Sequence, residues 1–233
     1  MLIEIVAGHL EAAIDAEQAG AQRLELCSCL AAGGITPSGA FIKQAKENCH
    51  IPLMVLIRPR EGHFVYSVRE KKQIIEEIKS SIDSGADGLV IGALDSSGKL
   101  DLPFLEQMVK ACNGKPITHH RAFDRSENAM QALEEIIGFG IERILTSGQA
   151  KSAWEGREMI KALIEKSAGC LTILPGAGIN SKNAKPLADF TGCSELHFSA
   201  KGVNENTQAR HALDSDYWSI DFEEAQKMIA ELS

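Results

Sequence analysis

A short apolar run, a glycine or polar turn and an amphipathic stretch follow one another repeatedly along this chain, at intervals of roughly 25 to 30 residues. Such alternation calls for a parallel sheet with crossover helices, because parallel neighbours need a connection long enough to bring the chain back to the same edge. The apolar runs predict eight strands, at 2–6, 23–27, 53–58, 88–91, 116–121, 143–146, 170–175 and 195–199. Between strands three and four, Ile74, Ile75, Ile78 and Ile82 fall on one helical face and Gly85 marks the stop. The near-copies AEQAGAQRLEL, IDSGADGLVI and IGFGIERILT each lead from a helix end through a glycine terminator into the next strand. Eight units in 233 residues, with 44% hydrophobic side chains to fill a core, predict one α/β domain over 1–233, a single (β/α)8 TIM barrel. An open doubly wound sheet is the competing fold, but no strand runs directly into GxGxxG at a helix start. After the last strand, 201–221 reads as one long polar loop, followed by a closing helix near 222–232.

The formal charge of -8 argues against nucleic acid or an anionic membrane as a bulk partner, since phosphate binding is driven by clustered Lys and Arg. The N-terminal stretch lacks the pattern of a secretion signal and no window reaches the length of a bilayer span, so a cytoplasmic location is expected. In that compartment the six cysteines are expected as reduced thiols.

In a barrel, alternate strand residues point inward, and the C-terminal strand ends carry the active site. This parity brings Glu4, Glu25, Cys27, Arg58, His120, Thr146, His197 and Ser199 inside near the top, where branched apolar residues would ordinarily pack. Unpaired buried charge costs several kcal/mol, so the set is either a self-satisfied polar plug or a ligand site. As a site, Glu4, Glu25, His120 and His197 are the candidate proton-transfer groups. Arg58 and Arg60 in IRPREGHF would grip an anion, and LPGAG with the eighth loop would cradle it through Gly176, Gly178 and Ser199. In the run LELCSC, extended alternation puts Cys27 and Cys29 on the face of Glu25, where two soft sulfurs can share a Cu(I) ion. The alternative is that Cys27 packs as a small buried hydrophobe and Cys29 is a loop thiol.

Taken in order, RLELCS with GG-TPS, IRPR, DGLVIGAL, THHRAFD, ERILTSG, LPGAGI and ELHFSAK span nearly the whole chain, and together they resemble the CutC family of copper homeostasis proteins. The resemblance implies a (β/α)8 barrel, a cytoplasmic protein, control of intracellular copper with Cys27 as the family-pattern cysteine, and a homo-oligomer. Cys29 stands where the family often has glycine. Two functions follow as expectations. One is Cu(I) binding through Cys27 and Cys29. The other is an enzyme acting on a small anionic or phosphorylated metabolite at a Glu/His/Arg barrel mouth.

Overall fold

The computed structural model describes residues 1–204 and 217–232. Eight parallel strands, β1 (Leu2–Ala7), β2 (Arg23–Leu26), β3 (Leu53–Leu56), β4 (Gly88–Ile91), β5 (Ile117–His119), β6 (Arg143–Thr146), β7 (Thr172–Pro175) and β8 (Glu195–Phe198), pair in the order β7-β6-β5-β4-β3-β2-β1-β8. With β7 and β8 adjoining, they form a nearly closed barrel. Seven helices cover it: α1 (Leu10–Gln18), α2 (Gly39–Asn48), α3 (Val68–Asp83), α4 (Leu102–Ala111), α5 (Ala129–Gly138), α6 (Arg157–Ser167) and α7 (Ala184–Thr191). An eighth, α8 (Phe222–Leu232), follows the last strands. The helices start where side chains satisfy their free amides. At α3, Ser67 accepts from the Glu70 amide while the Glu70 carboxylate accepts from the Ser67 amide, closing a capping box.

Strand parity sorts the interior into two cores. Ile3, Ile5, Leu24, Leu26, Leu53 and Val55 belong to the large cluster that also contains the helices' apolar faces. Their alternates Val6, Cys27, Met54, Leu56 and Val90 form a separate small cluster inside the barrel. This inner cluster is small, because many of the other inward places among the described residues hold charged and polar groups. Burying such groups is tolerable only where they find partners or a ligand.

Several expectations are corrected here. Strands β2, β3 and β8 end before Cys27, Arg58 and Ser199, and β5 ends before His120, so these residues sit in the first steps of the loops. The alternation that would set Cys29 beside Cys27 stops at Leu26. Cys29 adopts φ 54° and is exposed, whereas Cys27 is fully buried. Thr146 has the parity of Ile144, which packs in the outer core, so it faces the helix layer and Leu145 takes the inward place. Finally, 201–221 is not one loop. Its ends form β9 (Lys201–Asn204) and β10 (Tyr217–Ile220), an antiparallel pair, and 205–216 lie outside the described residues. Among the described residues no helix is long and apolar enough to cross a membrane.

Candidate functional site

The register of β1 with its two neighbours sets Glu4 beside Arg23 on one side and His197 on the other. All three are buried. Glu4 Oε2 accepts from Arg23 Nε, Glu4 Oε1 lies 2.7 Å from His197 Nδ1, and Arg23 Nη2 reaches Glu195 Oε2 at 2.5 Å. Burial alone would raise the Glu4 pKa, but the His197 hydrogen bond and the Arg23 charge outweigh it and bring it to about 2. Glu4 is therefore a fixed anion. His197 is disfavoured as a cation by burial, yet its bond to Glu4 and the nearby charge of Glu25 raise its pKa.

Glu25 stands apart from this network. Its carboxylate approaches Glu4 and His197, the ligand atoms of the three lying within 4.8 Å of one another, but Glu25 Oε2 has no hydrogen-bond partner among the described residues. Burial, reinforced by Glu4 and opposed by His197 and Arg23, raises its pKa to about 7. A carboxyl group poised there exchanges a proton at physiological pH, as a general base or acid must.

Glu25 faces a cavity of about 150 Å³ at the C-terminal mouth, also lined by Cys27, Arg58, Phe64, His120 and His197. The four residues Glu25, Arg58, His120 and His197, contributed by four different strands or their ends, thus meet in one space. His120 Nδ1 accepts from the Ala122 amide at 3.2 Å, which leaves the ring proton on Nε2, and Nε2 has no partner among the described residues. Burial, then His119 and Arg58, keep His120 neutral by lowering its pKa well below the ordinary value. Glycine makes room for this ring: a Cβ at Gly92 would stand 2.7 Å from His120 Cε1 and Nδ1. Gly176 has a similar duty, since a Cβ there would lie 2.6 Å from Leu145 Cδ1 and 3.3 Å from His197 Cδ2.

Arg58 lines the cavity but is not a free anion clamp. Nη1 donates to the carbonyls of Ala32, Gly33 and Gly34, Nη2 donates to Gly62, and the guanidinium lies 5.0 Å from the Phe64 ring centroid. The fork ties the loops after β2 and β3 together, and Nε, buried and without a hydrogen bond among the described residues, is available to a ligand. Arg60 is committed elsewhere: to Glu70 and to the carbonyls of Glu61, His63 and Val65. The Gly176 amide donates to Thr146 O, and neither Gly178 nor Ser199 lines the cavity. The structure therefore brings together Glu25, Cys27, Arg58, His120 and His197, with Glu4 behind His197, and leaves Cys29, Arg60, Gly176, Gly178 and Ser199 off the cavity wall.

Two members of the network, Arg23 and Glu195, were not among the candidates. The signal was present in RLE and ELH, where each charged residue stands two places before one that was chosen and so shares its face. Arg121 was also overlooked. Exposed and next to His120, it gave no sign of reaching the cavity, which it does through the loop geometry after β5.

Comparison with known proteins places this geometry in a family. A profile described as the CutC family matches residues 1–202. A family protein CutC of Pasteurella multocida is 41% identical over 231 residues, covering 95% of each chain. The copper homeostasis protein cutC homolog of Homo sapiens is 41% identical over 205 residues, covering 88% of this chain and 75% of its own. The crystal structure of a CutC protein from Streptococcus agalactiae superimposes with a TM-score of 0.82 at 32% identity, covering 85% of this chain and 98% of that one.

Proposed function

The chain belongs to the CutC family, and from that premise we propose that its barrel mouth is the active site of an enzyme that moves a proton on a small anionic metabolite. One observation carries the reading: three buried polar atoms on the same cavity's residues have no hydrogen-bond partner among the described residues, and their characters are complementary. Glu25 Oε2 is an acceptor, while His120 Nε2 and Arg58 Nε are donors. A polar group buried without a hydrogen bond costs about 1–3 kcal/mol, so three of them around one space favour a ligand over a self-satisfied plug. The fitting ligand presents an acceptor oxygen to His120 and Arg58 and an acidic C–H or O–H to Glu25.

The chemistry follows from the charges. Glu25 takes the proton as its carboxylate becomes a carboxylic acid. The charge left on the ligand oxygen is met by the neutral His120 N–H and the fixed Arg58 cation. His197, held by Glu4, keeps a positive partner beside Glu25 and can pass the proton onward. No lysine lines this cavity among the described residues, so the reading does not include a Schiff base.

The test is solvent exchange. Pooled small hydroxy, keto and phosphorylated acids are incubated with the protein in D2O and followed by mass spectrometry. One member should gain deuterium, and Glu25→Gln should abolish the gain while the fold is kept. Label uptake that survives Glu25→Gln, or a pool with no labelled member, would overturn the assignment.

Copper is the second reading, supported by Cys27 on the cavity wall and by the name of the human relative. Against it, burial, then Glu25 and Cys29, push the Cys27 thiol far above its ordinary range, and Cys29 does not line the cavity. An anaerobic Cu(I) titration separates the readings: a tight stoichiometric site weakened by Cys27→Ser supports copper, and unchanged affinity removes Cys27. In either reading we infer a cytoplasmic protein, a compartment whose reducing conditions suit six free thiols. A homo-oligomer belongs to the proposal on family resemblance alone.

A further inference from the structure

A second hollow of about 800 Å³ opens outside the first. The two share Gly33, Arg58, Phe64 and Arg121, so they are an inner chamber and an outer groove separated by a common wall. The groove also carries Arg125, His63, Asp95 and Asp124. Resting on the proposed acid–base role of the inner chamber, we propose that the substrate has two parts: a compact reactive head beside Glu25 and His120, and an oxyanion tail bound in the outer groove by Arg121 and Arg125.

The first support is the fixing of Arg121. Its Nε donates to Asp124 Oδ2 at 2.8 Å and its Nη2 to Ser147 Oγ at 2.9 Å. Asp124 is itself held by the Thr146 hydroxyl at 2.5 Å and by the amides of Ser147 at 3.1 Å and Gln149 at 3.2 Å. This tie between the loops after β5 and β6 fixes a guanidinium whose Nη1 makes no hydrogen bond within the described residues and whose side chain is 43% exposed. Holding a donor in place before the ligand arrives removes the entropy of ordering it on binding.

The second support is charge. Arg125 is exposed and its side chain makes no hydrogen bond or ion pair among the described residues. Asp124 neutralises Arg121 in part, but its oxygens are filled by donors. Asp95 directs its Oδ1 to Ser97 and Lys99. Arg58, Arg121 and Arg125 outnumber the two acids along the shared wall and groove, in a chain whose overall formal charge is -8. A cationic groove on an acidic protein raises the local concentration of an anion. The third support is size: the inner chamber holds only a few heavy atoms, so a metabolite of ordinary size must extend past Phe64.

The experiment uses inorganic phosphate, glycerol, glycerol 3-phosphate and malate as probes, followed by NMR of the arginine Nε–H and histidine ring signals. Inorganic phosphate should move the Arg121 and Arg125 signals alone, and glycerol 3-phosphate should also move His120 and bind at least tenfold tighter than glycerol. Arg125→Ala should weaken glycerol 3-phosphate roughly tenfold, the scale of one charge-assisted contact. Malate in place of glycerol 3-phosphate tells a carboxylate tail from a phosphate tail. No response of the arginines to any anion, or affinity unchanged in Arg125→Ala, overturns the proposal. The proton-transfer reading fails separately, by deuterium uptake that survives Glu25→Gln while the arginine responses remain.

Discussion

His197 Nδ1 lies 2.7 Å from Glu4 Oε1, and the opposite oxygen of Glu4 is taken by Arg23, so one buried carboxylate both orients the imidazole and sets its charge. The arrangement explains why a barrel interior tolerates acids. Each of these charges has a partner on the neighbouring strand, supplied by the register of β1 with β2 and β8.

Replacing Glu4 by Gln should shift the His197 titration to lower pH, because the first stabilising influence on its cation after burial is the bond to Glu4. NMR of the ring protons reads this directly. The same variant should show a flatter acid limb, because it lacks the carboxylate whose ionisation stabilises the folded state. With a folded pKa of about 2 against 4.5, Glu4 contributes stability that is complete above pH 4.5 and is lost as pH falls through 2. Between those limits wild type should lose melting temperature more steeply than Glu4→Gln. Parallel acid limbs would contradict the role given to Glu4.

For Glu25 the sign reverses. Its folded pKa is raised to about 7 from 4.5, so the folded state holds its proton more firmly than the unfolded chain does. That contribution is present below pH 4.5 and declines as pH rises through 7. Wild type should therefore lose on the order of 3 kcal/mol across this window, and Glu25→Gln, which has no charge to bury, should not. Above pH 7 the variant should melt at a higher temperature than wild type while losing proton transfer. Such a gain in stability at the cost of function is expected where an active site carries strain.

How far the sequence revealed this site depends on where each residue sits along its strand. Inside a strand, parity is rigid, and Glu4, Glu25 and His197 were placed correctly by counting. Beyond the strand end the count no longer holds. Cys29 turns through a left-handed φ of 54°. Thr146 fails for a different reason: it lies inside β6, where alternation holds, but the inward phase of that strand belongs to Leu145. Arg58 was legible as a cavity residue but not as a clamp, because the carbonyls of residues 32–34 and 62 that it binds belong to loops with no sequence signature of their own. The eightfold alternation sufficed for the barrel because it repeats. The outer groove is assembled from short runs of several loops, and no one of those segments announces it.

Arg58→Lys should be far from conservative. The guanidinium spreads its donors over four carbonyls and lies against Phe64, whereas an ammonium reaches fewer acceptors and has no planar face. Loss of two or more such bonds should cost roughly 2–3 kcal/mol in urea unfolding. Limited proteolysis should cut first within 29–35 or 60–65, the two loops that the clamp joins. A variant with wild-type stability and no new cleavage there would show that the loops hold without it.

The thiols offer a test that needs no substitution. Cys29 and Cys170 are exposed, while Cys27, Cys49, Cys112 and Cys193 are buried. Burial also raises the pKa values of those four, to about 11 for Cys49 and about 12 for Cys112, so their thiolate fraction near neutral pH is small. An aromatic disulfide reagent should therefore modify two of the six thiols rapidly in the native protein, and all six after denaturation. Peptide mapping should find the fast pair at Cys29 and Cys170. Since Cys27 lines the inner chamber, a ligand bound there should slow its residual reaction further and leave Cys29 unaffected. Fast labelling of Cys27 would mean that its thiolate is accessible and would favour the copper reading over the acid–base one.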